Sequence, residues 1–155
     1  MVQDGKTAPD FELPAGDGKP LKLSKLEGHA VVVYFYPKDD TSGCTVEAKD
    51  FTQLMAQFRA AGAEVIGISP DSVASHQKFA KKHDLGVRLA ADEDKAVATA
   101  YGVWVEKSMY GRKYMGVERS TFLIDKAGKV AKSWRKVKVP GHAEEVLAAV
   151  KALTA

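Results

Sequence analysis

The sequence predicts an α/β domain with a central mixed β-sheet, helices on both faces and a small N-terminal β-hairpin. Three observations support this fold class. Residues 31–36 and 63–69 are apolar and rich in β-branched side chains, which is typical of buried strands. A helical pattern separates them, and strand, helix and strand within about forty residues indicate a right-handed parallel crossover. Residues 121–125 and 130–138 flank a turn, which predicts an antiparallel hairpin.

The remaining elements are predicted from the same periodicities and from turn residues. In chain order they are an N-terminal hairpin over 11–23, a helix from near Cys44 to Gly62, a helix from Ser72 or Ser75 to near Gly86, a short strand over 87–90, a brief helix to Tyr101 and a C-terminal helix over 142–153. No repeat, linker or low-complexity segment interrupts this order, so residues 1–155 are predicted to form one domain. The chain is long enough to bury a full hydrophobic core.

Composition excludes several classes of protein. The 155 residues are 45% hydrophobic and 28% charged, which argues against a disordered chain. A net charge of +3 is too small to imply nucleic-acid binding, and the basic tract 132–138 alternates like an edge strand with a solvated face. The longest apolar run, 30–36, is far shorter than the roughly twenty residues of a membrane-spanning helix. The N-terminus lacks the apolar stretch of a signal peptide, so a cytoplasmic protein with no membrane partner is expected.

The single cysteine limits the possible redox and metal chemistry. It rules out a disulfide within the chain, a CxxC pair and a cysteine-rich metal site. Of the four histidines, His76 and His83 share a helix face, but no third ligand lies nearby. We expect both to be partly exposed histidines that flank Phe79, and we expect no metal site.

The candidate site is the polar stretch 36–47, which follows a buried strand and enters a helix. Cys44 lies in the first helical turn, where free backbone N–H groups and the helix dipole favour a thiolate. A nearby hydroxyl or cation would complete this stabilisation, and Thr41 is within reach of the sulfur. Pro37 fixes the backbone beside the pocket. From these residues alone two interpretations stay open: a nucleophile, or a small buried hydrophobic side chain.

The spacing Pro37-x-x-x-Thr41-x-x-Cys44 resembles the active-site signature of the peroxiredoxins. The wider sequence resembles their Q-type branch, also called bacterioferritin comigratory proteins. The similarity covers nearly the whole chain and rests on segments 8–13, 17–19, 33–37, 67–69, 101–103, 106–107, 119–125 and 128–129.

The resemblance implies a thioredoxin-like fold and thiol-dependent reduction of hydrogen peroxide and organic hydroperoxides. It makes Cys44 the peroxidatic cysteine, Thr41 a hydrogen-bond donor to peroxide and thiolate, and Pro37 a cover for the pocket. Arg119 matches the family's active-site arginine and would supply the missing cation. No cofactor is required. Relatives suggest a monomer or a weak homodimer.

The chain departs from many Q-type members because it lacks a second, resolving cysteine. Lys49 stands five residues after Cys44, and 78–82 contain no cysteine either. Ser42 replaces a common proline. Recycling is therefore expected to need an external thiol such as thioredoxin, glutaredoxin or glutathione. The alternatives are a thiol–disulfide oxidoreductase or a non-catalytic holdase on the same scaffold.

Overall fold

Nine strands and five α-helices make up residues 2–154, the part of the chain that this computed structural model describes. The strands are β1 Glu12–Pro14, β2 Pro20–Lys22, β3 Ala30–Phe35, β4 Ala63–Ser69, β5 Arg88–Ala91, β6 Trp104–Met109, β7 Arg112–Val117, β8 Ser120–Ile124 and β9 Val130–Trp134. The helices are α1 Ser42–Gln53, α2 Met55–Ala60, α3 Val73–His83, α4 Ala96–Ala100 and α5 His142–Thr154. A short 3₁₀ helix, Leu23–Leu26, follows β2.

The central sheet has five strands in the order β5-β4-β3-β8-β9. The β5-β4 and β4-β3 pairs are parallel, and the β3-β8 and β8-β9 pairs are antiparallel. All six residues of β3 are buried, because this strand lies at the centre of the sheet and is covered on both faces. The predicted mixed sheet, the N-terminal hairpin β1-β2 and the hairpin β8-β9 are confirmed.

Two hydrophobic cores lie on opposite faces of the sheet, as the alternation of side chains along a strand requires. On one face, Val31, Val33 and Phe35 pack with the N-terminal segment and with Tyr101 after α4. On the other face, Val32 and Tyr34 pack against α1, α2, α3 and α5. The second core includes Cys44, so the candidate nucleophile belongs to the helix-covered face.

The prediction of one helix from Cys44 to Gly62 is wrong in one respect. Leu54 interrupts the helix, so α1 ends at Gln53 and α2 begins at Met55. The Leu54 N–H bonds back to the Phe51 carbonyl oxygen, which is a tighter turn than an α-helix makes. The Thr52 hydroxyl donates to the Ala48 carbonyl oxygen (2.7 Å) and accepts the Gly86 N–H (3.0 Å). Such back-bonding by threonine bends helices, and here it also attaches α1 to the segment after α3.

The hairpin β6-β7 was not predicted. Most of the residues in its strands are exposed, so the strands carry little of the alternation that marks a half-buried strand. The connecting residues, Tyr110 and Gly111, both have positive φ (52° and 78°), as a two-residue turn of type I′ requires. Tyrosine is an unusual residue at the first of these positions, and the turn signal is therefore weak.

Three further predictions need correction. The last strand of the sheet ends at Trp134 and does not reach residue 138, although β9 is an edge strand as expected. Helix α3 starts after Ser72 but ends at His83, because Asp84 adopts the left-handed conformation (φ 52°) and caps it. His76 is not partly exposed but completely buried, and only His83 has the exposure we predicted.

No helix within residues 2–154 is long and apolar enough to cross a membrane.

Candidate active site

Cys44 is the third residue of α1, immediately beyond the loop that follows the central strand β3. Thr41 is the N-cap residue in an extended conformation (φ −91°, ψ 157°). The first backbone bond of this turn joins the Thr45 N–H to the Thr41 carbonyl oxygen (2.9 Å). The N–H groups of Ser42, Gly43 and Cys44 precede that bond, so they remain at the positive end of the helix dipole. The predicted position of Cys44 in the first turn of a helix is confirmed.

Arg119 lies beside Cys44 because β8 pairs antiparallel with β3. The register places Ser120 opposite Phe35, so Arg119 comes just beyond the carboxyl end of β3, where α1 begins. Its Nη2 atom donates to Cys44 Sγ at 3.3 Å. Cys44 is only 2% exposed. The structure thus brings together two residues that are 75 positions apart in the sequence, and both were predicted as site residues.

Glu47 completes this group, which we call the Arg119 cluster (Cys44, Glu47 and Arg119). Glu47 Oε1 accepts a 2.6 Å hydrogen bond from Arg119 Nη1, and its side chain is 2% exposed. Within residues 2–154 its second oxygen, Oε2, has no hydrogen-bond partner. Burial raises the pKa of Glu47 to about 7, although Arg119 acts in the opposite direction. Burial opposes the charge on Arg119, but Glu47 and Cys44 outweigh it and raise the pKa of the guanidinium.

Glu47 was not assigned a role from the sequence. Its position three residues after Cys44 places both side chains on one face of α1, and this spacing is the signal that could have identified it. The carboxyl group and the thiol share one guanidinium, because Nη1 donates to Glu47 and Nη2 donates to Cys44.

Gly43 allows the guanidinium to approach the helix. A methyl group at this position would lie 3.3 Å from Arg119 Nη2, closer than most side-chain contacts allow. Any larger residue at position 43 therefore has to displace Arg119 or the first turn of α1. Because Gly43 has no side chain, Arg119 can lie within hydrogen-bond distance of Cys44 Sγ.

The other two predicted residues, Thr41 and Pro37, lie in the loop between β3 and α1, and within residues 2–154 neither makes a hydrogen bond to Cys44 Sγ. The Thr41 hydroxyl donates to the Lys38 carbonyl oxygen at 2.8 Å, within the same loop. Pro37 follows Tyr36 and is half-buried at the start of this loop. Their roles toward a substrate stay predictions.

The arrangement suits nucleophilic chemistry at sulfur. The buried Cys44 thiol lies in the first turn of a helix with the Arg119 guanidinium within hydrogen-bond distance, and a cation in that place can assist a reaction at sulfur. Within residues 2–154 no group of three or more histidine, cysteine, aspartate or glutamate side chains is placed to hold a metal ion.

Comparison with known proteins places this geometry in a family. Residues 5–133 match the AhpC/TSA family. A protein named Putative peroxiredoxin bcp from Coxiella burnetii is 49% identical over 146 residues, which cover 94% of this chain and 97% of that protein. Peroxiredoxin Bcp from Bacillus subtilis is 48% identical over 150 residues, which cover 97% of this chain and 96% of that protein.

Solved structures agree with this assignment. Xanthomonas campestris Bacterioferritin Comigratory Protein, described with its alkyl peroxide reduction activity, superimposes with a TM-score of 0.93 at 44% identity and covers 99% of this chain and 100% of its own. Peroxidoxin BcpB from Mycobacterium tuberculosis gives a TM-score of 0.87 at 36% identity and covers 99% of both chains. The chain therefore belongs to the AhpC/TSA family and is similar throughout to the Bcp and Q-type peroxiredoxins.

Proposed function

We propose that this protein is a single-cysteine peroxidase in which Cys44 reduces hydrogen peroxide and organic hydroperoxides. The observation that carries the proposal is the 3.3 Å contact between Arg119 Nη2 and Cys44 Sγ in the first turn of α1. The alkyl peroxide reduction activity described for the Xanthomonas campestris relative supports organic hydroperoxides as substrates.

The reaction follows from the chemistry of a thiolate and a weak O–O bond. The Cys44 thiolate attacks one peroxide oxygen, so an S–O bond forms while the O–O bond breaks. The other oxygen leaves with the electron pair of that bond and takes a proton to become water or an alcohol. The product is cysteine sulfenic acid, and the sulfur has been oxidised by two electrons.

Hydrogen-bond donors around Cys44 are proposed to supply most of the rate enhancement. A lower thiol pKa alone is insufficient, because nucleophilicity falls as the thiolate becomes less basic. We propose that Arg119 and the backbone N–H of Cys44 stabilise charge on the two oxygens as they separate. We assign the same role to the Thr41 hydroxyl, which has to turn from the Lys38 carbonyl oxygen toward the substrate. Pro37 covers one side of the pocket.

Recycling requires a thiol from outside the chain. Cys44 is the single cysteine, and Lys49 occupies the position of the resolving cysteine of many relatives. An external thiol attacks Cys44 Sγ, a mixed disulfide forms and water leaves, and a second thiol then releases Cys44. We propose thioredoxin, glutaredoxin or glutathione as this donor, in a cytoplasmic protein that is a monomer or a weak homodimer.

Peroxide consumption distinguishes this proposal from its alternatives. The reduced protein with dithiothreitol should consume hydrogen peroxide and cumene hydroperoxide, and Cys44→Ser should abolish both activities. A thiol–disulfide oxidoreductase would reduce disulfides without consuming peroxide, and a holdase would do neither. If the wild-type protein consumes no peroxide with dithiothreitol, thioredoxin, glutaredoxin or glutathione, the proposal is wrong.

A further inference from the structure

A second group of buried polar side chains lies next to the active-site loop, and we call it the Asp39 cluster (Tyr36, Asp39, Ser75 and His76). Three hydrogen bonds converge on the Asp39 carboxylate. Tyr36 donates to Oδ1 at 2.6 Å, while the Ser75 hydroxyl and His76 Nδ1 contact Oδ2 at 2.7 Å each. The side chains of His76 and Asp39 are 0% and 4% exposed.

The partners of His76 define where its hydrogens lie. Nε2 is 3.0 Å from the Ala90 carbonyl oxygen, which can only accept, so Nε2 carries a hydrogen. Nδ1 faces a carboxylate oxygen that already accepts from Ser75. This contact needs a hydrogen between Nδ1 and Oδ2. Every polar side-chain atom of this pair therefore has a partner.

The cluster attaches the active-site loop to three other elements of the fold. Asp39 lies between β3 and α1, two residues before Thr41. His76 belongs to α3, and its second contact reaches β5. The backbone N–H of Asp39 also donates to Asp71 Oδ2 (2.8 Å), which accepts the hydroxyl of Ser69 at the end of β4. The residues just before Cys44 are thus fixed to the body of the protein through Asp39.

We propose that His76 and Asp39 form a positioning pair for Cys44. Together they hold the 37–41 loop, and with it the first turn of α1, in the arrangement that reacts with peroxide. Their separation releases the loop and exposes Cys44 Sγ to the recycling thiol. This inference rests on the proposed function.

Oxidation of Cys44 by peroxide and its reduction by an external thiol need different access to the sulfur. The His76–Asp39 pair should therefore affect the two rates in opposite directions and not only the stability of the fold. A peroxide is small, and Cys44 with 2% exposure sits beside Arg119 as the first step requires. An external thiol is larger and has to approach the sulfur itself, which is buried in this arrangement. Weakening the pair should therefore slow the first step and accelerate the second, whereas a merely structural defect slows both.

Two substitutions at His76 separate its two contacts. In His76→Asn the side-chain amide nitrogen takes the place of Nδ1 and keeps the contact with Asp39. In His76→Gln the amide nitrogen takes the place of Nε2 and keeps the contact with Ala90, but the bond to the loop is lost. Both variants replace the buried ring with an amide of similar chemistry, so each controls for the other.

Three measurements test the pair: the rate at which hydrogen peroxide oxidises Cys44, the rate at which dithiothreitol reduces preformed Cys44 sulfenic acid, and hydrogen exchange of the amides in 38–44. His76→Gln should oxidise roughly tenfold more slowly, react faster with thiol and exchange faster in 38–44. His76→Asn should stay close to the wild-type protein in all three. If His76→Gln does not fold, Ser75→Ala removes another donor to Asp39 Oδ2 and should shift the rates in the same opposite directions by less.

Equal behaviour of the two His76 variants would overturn the inference, and so would a parallel fall of both rates in His76→Gln. A wild-type protein that peroxide does not oxidise would refute the proposed function instead. Hydrogen exchange in 38–44 would then still decide whether the pair holds the loop.

Discussion

The Arg119 cluster and the Asp39 cluster lie at the same end of the central sheet, but they differ in how completely their hydrogen bonds are satisfied. Both oxygens of Asp39 and both ring nitrogens of His76 have partners. Glu47 Oε2, in contrast, has no partner within residues 2–154. Buried polar atoms are normally paired, so the unpaired Glu47 Oε2 is expected to cost stability. We therefore expect the satisfied Asp39 cluster to hold its loop and the Arg119 cluster to carry the proposed reaction.

Removing the cation from the Arg119 cluster should have the largest effect. We expect Arg119→Met to slow the oxidation of Cys44 by about 100-fold or more, because the variant lacks the donor to Sγ and to the separating oxygens. The rate constant with hydrogen peroxide, measured on reduced protein, checks this. Arg59→Met changes the same charge at an exposed position on α2 and should leave the rate unaltered. An undiminished rate in Arg119→Met would mean that the 3.3 Å contact does not contribute.

Replacing Glu47, the carboxyl group with an unpaired oxygen, should show how much it lowers the free energy of unfolding at each pH. The folded protein keeps a proton on Glu47 up to about pH 7, whereas the unfolded chain loses it near the ordinary value of 4.5. Between these values the folded state binds more protons, so the contribution of Glu47 to stability falls as pH rises. Glu47→Gln removes this loss and should gain stability relative to wild type between pH 4.5 and 7, by up to about 3 kcal/mol.

Urea unfolding of both proteins across this pH range measures the difference. It should increase up to about pH 7 and then level off, because Glu47 is ionised above its pKa. The exposed glutamate variant Glu144→Gln should show no such trend. A difference that is independent of pH would show that Glu47 is already ionised throughout.

Gly43→Ala should separate stability from activity. Alanine is favoured over glycine within a helix by about 0.5–1 kcal/mol, so the variant should be no less stable than wild type. Its methyl group would lie 3.3 Å from Arg119 Nη2 and displace it, which we expect to slow peroxide reduction by about tenfold or less. Thermal unfolding and the peroxide rate test this, with the exposed neighbour Ser42→Ala as control. An unchanged rate would mean that Arg119 tolerates the displacement.

The smallest effect is expected at Asp40, which is next to Asp39 in the sequence but exposed. It contacts Lys82 Nζ at 2.7 Å and His83 Nε2 at 2.8 Å, and these hydrogen bonds lower its pKa. Exposed ion pairs contribute little because water and salt screen them. Asp40→Asn should therefore leave the melting temperature at neutral pH and the peroxide rate nearly unchanged. A large loss in either quantity would show that the loop depends on its surface contacts rather than on Asp39.

Patterns with a local cause could be predicted from the residues themselves, whereas the long-range Arg119–Cys44 contact was expected only from the family resemblance and other long-range hydrogen bonds were not predicted. The buried strands β3 and β4 were identified because their composition alone marks them. Cys44 became a candidate from its place at a strand-to-helix junction, but its role as nucleophile came from the family resemblance. The break at Leu54 lies beside Thr52, whose hydroxyl bonds to its own helix and to Gly86, 34 positions away, and this long-range bond leaves no local pattern in the sequence. The burial of His76 depends on Asp39 and Ala90, which only the folded chain brings together.

Mass spectrometry of reduced protein after one equivalent of hydrogen peroxide tests the central claim most directly. The account predicts a gain of one oxygen on the peptide that contains Cys44, and its conversion to a dimedone adduct when dimedone is present. An unmodified Cys44 after the peroxide has been consumed would contradict the claim that this sulfur is the nucleophile. Complete conversion to a Cys44–Cys44 dimer without any trappable sulfenic acid would contradict the single-cysteine cycle.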